Sequence, residues 1–145
     1  KPEIMDLYEP GTMTSTHTGN PVCSASAIAN IEYIVEKNLP EHAEKMGRVF
    51  EKELNRMKEK FSSVGFVCGK GLVWALSIVK PGTIEPDGDT AFEIVKKCVE
   101  KGLLLFAPVG FGGASLKIAP PLVIKKDAIV EGCSVIEEAI SETCS

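Results

Sequence analysis

From residue 40 onward, apolar positions follow two different periods, and the switches between them predict the elements. Met46, Phe50, Leu54, Met57 and Phe61 recur at steps of three and four. They form one stripe of an amphipathic helix opened by Pro40, whose other face is dense in Glu and Lys. Before it, Asn20-Pro21 offers an N-cap and a proline at the first helical position. Ala25, Ala27, Ile28, Ala29, Ile31, Ile34 and Val35 continue that helix to near Asn38, with small residues on several faces that suit close packing on more than one side. From Ser63 the period shortens. Val64 to Cys68 and Leu72 to Val79 are β-rich runs joined at Gly69-Lys70-Gly71, the pattern of a hairpin. Lys80 to Asp89 reads as a loop, and Asp89 or Thr90 as the cap of a helix with Phe92, Val95 and Val99 as its apolar set and Gly102 just past its end. Leu103 to Ala107 reads as a buried strand, and Leu116 to Ala119 as a short strand stopped by Pro120-Pro121. Asp127 then caps a final helix with Ile129, Cys133, Ile136 and Ile140 on one stripe.

Residues 1–20, rich in Thr, Ser, Gly and Pro, read as a loop. The order helix, helix, strand, strand, helix, strand, strand, helix predicts an α+β fold, a two-layer α/β sandwich with a small, mostly antiparallel sheet and helices packed on it.

Composition narrows the function classes. With 145 residues, 44% hydrophobic and 25% charged, the chain fits one soluble globular domain. A net charge of -4, with lysines interleaved among glutamates, gives no footprint for nucleic acid or an anionic membrane. Five cysteines without a C-x-x-C pair point to a reducing compartment, so a cytoplasmic location is expected. The two histidines, His17 and His42, lie away from the cysteines, which argues against zinc. The opening Lys1-Pro2-Glu3 lacks a methionine and reads as the start of a processed, truncated or excised chain.

Few residues carry a chemical signal. Gly110-Phe111-Gly112-Gly113 lies between two predicted strands and reads as a hairpin loop, and Asp87-Gly88-Asp89 as a turn with a cap. The run Ser15-Thr16-His17-Thr18-Gly19-Asn20-Pro21 is the exception. Hydroxyls clustered before a helix N-terminus suit a phosphate, through side-chain donors, backbone N–H groups and the helix dipole. They equally suit a Ser/Thr-rich capping loop.

Met13 to Pro21, followed by the alanine-rich helix, resembles the segment that precedes the small domain in class III aminotransferases of the ornithine and 4-aminobutyrate type, fold-type-I enzymes that use pyridoxal 5'-phosphate. The resemblance implies that Thr16 reaches across a homodimer interface to the cofactor phosphate of the other subunit, with Ser15 beside it. Leu116-Lys117-Ile118-Ala119-Pro120-Pro121-Leu122 resembles the family's Arg-x-x-Pro-Pro-Leu strand, whose arginine binds the substrate carboxylate. Here that position is Lys117, a point charge that cannot reproduce a bidentate fork. Gly69-Lys70-Gly71-Leu72 resembles a glycine turn entering a small-domain strand, with Cys68 where an arginine is frequent.

On this resemblance, residues 1–20 are a remnant of the cofactor domain bearing the phosphate segment, and residues 21–145 are the C-terminal small domain with its connecting helix. The implied partners are a small-molecule amino donor, including an omega-amino acid, and a 2-oxo acid. The family's catalytic lysine precedes the phosphate threonine by a few tens of residues, whereas Lys1 is the sole lysine before Thr16. No catalytic residue is therefore expected in this chain, nor transaminase activity from it alone. Two alternatives stand beside this reading: a racemase or aminomutase on the same scaffold, and a non-catalytic interaction module.

Overall fold

Asn20 caps a helix as its sequence suggests. Its Oδ1 accepts from the N–H groups of Val22 at 2.9 Å and Cys23 at 3.2 Å, with Pro21 at the first helical position. The computed structural model describes residues 1–9, 11–12, 15–17 and 19–144, and these divide into two units, Lys1–Asn38 and Leu39–Ser145. The N-terminal unit holds a four-residue helix, α1 (Pro2–Met5), inside the stretch expected to be loop, and the capped helix α2 (Pro21–Glu36). None of the residues of α2 is buried, and Val22, Ile28, Ile31 and Val35 are exposed. Among the described residues of this unit, the close packing expected from the small residues of α2 is not made.

The C-terminal unit runs α3 (Leu39–Lys60), β1 (Val64–Lys70), β2 (Val73–Ile78), α4 (Gly88–Glu100), a 3-10 turn (Phe111–Gly113), β3 (Ser115–Ile118) and α5 (Lys126–Thr143). The three strands lie in the order β1-β2-β3 and pair antiparallel, with Lys70 opposite Val73, Cys68 opposite Ala75, and Ala75 opposite Lys117. Because side chains alternate along a strand, Trp74, Leu76, Ile78, Leu116 and Ile118 form one buried face. They share a core with Phe50, Leu54 and Met57 of α3, Ile94 and Cys98 of α4, and Ile129, Ile136 and Ile140 of α5. The opposite face carries Phe66, Cys68, Ala75, Ser77, Ser115 and Lys117. A helical layer against one side of a small antiparallel sheet is the α+β sandwich expected.

Four local expectations are corrected. Leu103 to Ala107 is neither a strand nor buried throughout: it pairs with no neighbour in a ladder, and Leu104 is 82% exposed. The cap of α4 is Asp87, whose carboxylate accepts from the Thr90 N–H at 3.0 Å and the Thr90 hydroxyl at 2.8 Å, not Asp89 or Thr90. The buried stripe of α4 is accordingly Ala91, Ile94, Val95 and Cys98, while Phe92 and Val99 are exposed. At α5 the N-cap position is Lys125, and Asp127 sits in the first turn, where a carboxylate complements the helix dipole.

Charged pairs fasten α5 to its neighbours. Arg56 of α3 forks onto Glu137, with N–O distances of 2.9 and 2.5 Å, and Lys60 reaches the same carboxylate at 2.7 Å. Lys101, which follows α4, meets Glu138 at 2.9 Å and Glu142 at 2.8 Å. Hydrogen bonds from Arg56, then from Lys60, lower the Glu137 carboxyl from 4.5 to about 2. A lowered folded-state pKa gives stability that is present above the ordinary carboxylate range and lost as pH falls through about 2. Arg56 and Lys60 are about half exposed, so water screens the pair and its worth is about 1 kcal/mol. Urea unfolding should show wild type ahead of Glu137→Gln at pH 7, with the gap closing as the pH falls from about 4.5 towards 2. A gap independent of pH would refute this assignment.

Candidate functional site

Ser15 and Thr16 are exposed in the N-terminal unit, in a turn where the Asn20 N–H donates to the His17 carbonyl at 3.1 Å. Gly19 takes φ +75° to make that turn, a conformation glycine adopts without steric penalty. The first turn of α2 is internally satisfied. Pro21 has no N–H, those of Val22 and Cys23 go to the Asn20 side chain, and that of Ser24 goes to the Asn20 carbonyl at 3.0 Å. The first backbone donors of α2, expected to serve an anion, are thus committed within the protein, and the hydroxyls of Ser15 and Thr16 stand exposed beside them. Met13, Thr14 and Thr18 of the same motif lie outside the described residues.

Lys117 lies in the C-terminal unit. Its neighbours Leu116 and Ile118 point into the core, which turns Lys117 outward. Its ammonium stands 5.4 Å from the centre of the Phe106 ring, within reach of a cation–π attraction. Pro120-Pro121 ends the strand, and the turn beyond is closed by the Ile124 N–H donating to the Pro121 carbonyl at 3.0 Å. His42 of α3 holds this turn through Nε2, 2.8 Å from the Ile124 carbonyl oxygen. Cys68 shares the outer face with Lys117, both being register partners of Ala75 from opposite sides. The arginine that sequence resemblance would put near Cys68 has no counterpart in that row.

Beside Lys117 a cleft of about 120 Å³ opens between β3, the 103–106 segment and α5, lined among others by Leu103, Phe106, Lys117, Ile118, Ile129 and Gly132. Phe106, His42 and Gly132 were not marked by the sequence. Phe106 sits in an apolar run that suggests burial, yet it is 59% exposed. An aromatic eleven residues away from an exposed lysine carries no signal until the fold brings them together.

The remaining candidates offer little chemistry. Burial pushes the Cys98 thiol up to about 11 and the Cys133 thiol up to about 12, so both stay protonated and unreactive near neutrality. Among the described residues no group of three or more His, Cys, Asp or Glu side chains could hold a metal ion, and no helix is long and apolar enough to cross a membrane.

Comparison with known proteins relates the chain to one family. The family model for class III aminotransferases matches residues 1–140. The chain is 40% identical over 141 residues to a leucine/methionine racemase of Thermococcus litoralis, covering 97% of this chain and 31% of that protein. It is 36% identical over 140 residues to an ornithine aminotransferase of Emericella nidulans, covering 97% of this chain and 29% of that one. A crystal structure of acetylornithine aminotransferase from Elizabethkingia anophelis superposes with a TM-score of 0.80 at 34% identity, over 98% of this chain and 35% of that chain. The chain therefore spans about a third of the length of these relatives. With the family model matched over residues 1–140 and this α+β sandwich shared with the solved relative, the chain belongs to the class III aminotransferases.

Proposed function

We propose that this chain is the C-terminal part of a pyridoxal-phosphate enzyme that moves an amino group between an amino acid and a 2-oxo acid. In this reading Thr16, assisted by Ser15, holds the cofactor phosphate, and Lys117 holds the substrate carboxylate. The observation that carries it is the exposed ammonium of Lys117 on β3, directly before the Pro120-Pro121 break, in a chain matched by the family model. The donor set fits a phosphate: two adjacent exposed hydroxyls at the approach to a helix N-terminus. When bound, pyridoxal phosphate supplies the electron-withdrawing ring that labilises bonds at the substrate's α-carbon. The chain's own residues position. The Thr16 hydroxyl donates to a phosphate oxygen, and Lys117 pairs with the carboxylate as a point charge steadied by Phe106. The reading includes a homodimer in which Thr16 of one copy serves the other's site, and it expects no amino transfer from these 145 residues alone.

In the complete enzyme, Lys117→Met should raise KM for the amino acid about tenfold or more, the scale of one charge-assisted hydrogen bond. Lys117→Arg should keep KM near wild type. An unchanged KM in Lys117→Met would sink the substrate role of Lys117. For the 145-residue chain, a visible absorption band formed with pyridoxal phosphate, surviving dialysis and mapping to one lysine, would overturn the expected inactivity.

A second reading is racemisation or aminomutation on the same scaffold, favoured by 40% identity to a protein named as a racemase and by lysine in place of the family's arginine. Dependence on a 2-oxo acid separates the two, because an enzyme that epimerises its substrate without an amino acceptor is not a transaminase.

A further inference from the structure

The glycine-rich run at 110–113 plays no part in amino transfer as described above, yet it borders a second cavity, on the outer face of the sheet. Leu76, Ile78 and Leu116 point into the core, so Ser77 and Ser115 between and beside them point outward. Phe66, Ser77 and Ser115 are register partners in one row across β1, β2 and β3. All three line a cavity of about 160 Å³, together with Ile84, Pro86 and Phe111. Ile84 and Phe111 each sit on a hydrogen-bonded turn. Lys80 and Glu85 close the first, through a backbone bond of 2.9 Å and an ion pair of 2.5 Å. In the second, the Gly113 N–H donates to the Gly110 carbonyl at 3.1 Å. This turn seats on Pro86, since a Cβ on Gly112 would fall 2.8 Å from Pro86 Cβ. These bonded turns nevertheless hold Ile84 83% and Phe111 87% exposed, beside Phe66 at 53%. Three large apolar side chains left in water around one cavity are the kind of patch that marks a binding site.

The chemistry of the lining narrows the ligand. Among the described residues that line the cavity none is charged, which favours a neutral occupant. The side-chain polar groups are the hydroxyls of Ser77 and Ser115, whose oxygens stand 3.1 Å apart. Each hydroxyl has one proton and two lone pairs. One proton lies between the two oxygens, so the pair keeps one O–H to donate and, on the neighbouring oxygen, lone pairs to accept. The complement of a donor beside an acceptor is a C=O beside an N–H, the edge of a cyclic amide. Size sets the ring: an apolar cavity of about 150 Å³ accepts benzene, so about 160 Å³ matches one six-membered ring. We propose that this cavity binds a neutral pyridone or pyrimidinone ring. Its C=O accepts from one serine hydroxyl, its N–H donates to the other, and its apolar surface lies against Phe66 and Phe111. Lys117 is not among the described residues that line the cavity, so this site does not rest on the carboxylate role.

The probe is 2-pyridone, titrated into the chain and followed by amide and methyl chemical shifts. Saturable shifts at Phe66, Ser77, Ile84 and Ser115 are expected. N-methyl-2-pyridone, which keeps the ring and the carbonyl but has no N–H, should bind about tenfold more weakly. Ser77→Ala and Ser115→Ala should each weaken 2-pyridone by about the same factor. Both hydroxyls lie on the outer face of the sheet, so the core is untouched and the variants stay folded. Phe111→Ala removes a side chain that is 87% exposed, and should weaken binding while leaving the urea midpoint unchanged. The proposal is overturned if N-methyl-2-pyridone binds as tightly as 2-pyridone, if both serine variants bind unchanged, or if the shifts map away from the cavity. Shifts at these residues that follow protein concentration without 2-pyridone would assign the patch to a second copy of the chain, and would overturn it as well.

Discussion

Replacing Trp74 by alanine should cost the C-terminal unit about 4 kcal/mol, the upper range for losing a buried aromatic. Trp74 is 7% exposed on β2, and its ring lies so close over Gly69 that a Cβ there would fall 2.4 Å from Trp74 Cδ2. Its indole N–H also donates to the Gly71 carbonyl at 2.7 Å, closing the β1–β2 turn. Trp74→Phe separates the two contributions. It keeps most of the ring but leaves the part-buried Gly71 carbonyl without its indole partner, for about 1–2 kcal/mol. Urea denaturation followed by far-ultraviolet circular dichroism gives both values, since the protein's one tryptophan is the residue removed. Equal losses for the two variants would show that the hydrogen bond, not the ring, secures the hairpin.

Gly47→Ala should lower stability by about 2 kcal/mol, although alanine is the better helix former by about 1 kcal/mol. The added Cβ would lie 2.5 Å from the Gly71 carbonyl oxygen and 2.9 Å from Gly71 Cα. Both are backbone atoms of a turn fixed by φ +57° at Gly71, so the obstacle cannot rotate away as a side chain would. Helix α3 must tilt off the hairpin or the turn must distort. The urea midpoint should fall with an unchanged slope. A midpoint that rises would mean the turn yields and propensity wins. Because Gly47 and Trp74 both act through Gly71, Gly47→Ala combined with Trp74→Phe should be less destabilising than the sum of the two.

The elements were most legible where one large apolar stripe met a clear charged face. Met46, Phe50, Leu54 and Met57 announce α3 and are all buried. The hairpin is also found, but its turn is Gly71-Leu72: Gly69 and Lys70, expected in the turn, belong to β1 opposite Trp74 and Val73. Helix α4 was found in place but rotated, because Phe92 and Val99 are larger and more apolar than the Ala91 and Cys98 that face the sheet. Small residues let a helix approach closely, and a pattern weighted by size overlooks them. The run Leu103 to Ala107 was misread for a different reason. Its composition suits a strand, but ladder hydrogen bonds depend on a partner's position, which no local pattern encodes.

At the candidate site, Ser15, Thr16 and Lys117 were visible because motifs frame them. What surrounds Lys117 was not. Phe106 comes from eleven residues upstream and Gly132 from fifteen downstream, and neither looks unusual until strand, segment and helix are set side by side. The role of Asn20 ran the opposite way: read as a cap, it proved to occupy the very N–H groups that an anion would otherwise seek.

The clamp of α5 bears on how the protein is made. Arg56 and Glu137 are 81 residues apart in the chain, and Ile129, Cys133, Ile136 and Ile140 complete the core that α3 and the sheet begin. During synthesis α3 and the hairpin leave the ribosome with that apolar surface uncovered, and it stays uncovered until α5 emerges. At about 5–20 residues per second, the interval lasts several seconds, long enough for wrong associations or for a chaperone to engage the nascent chain.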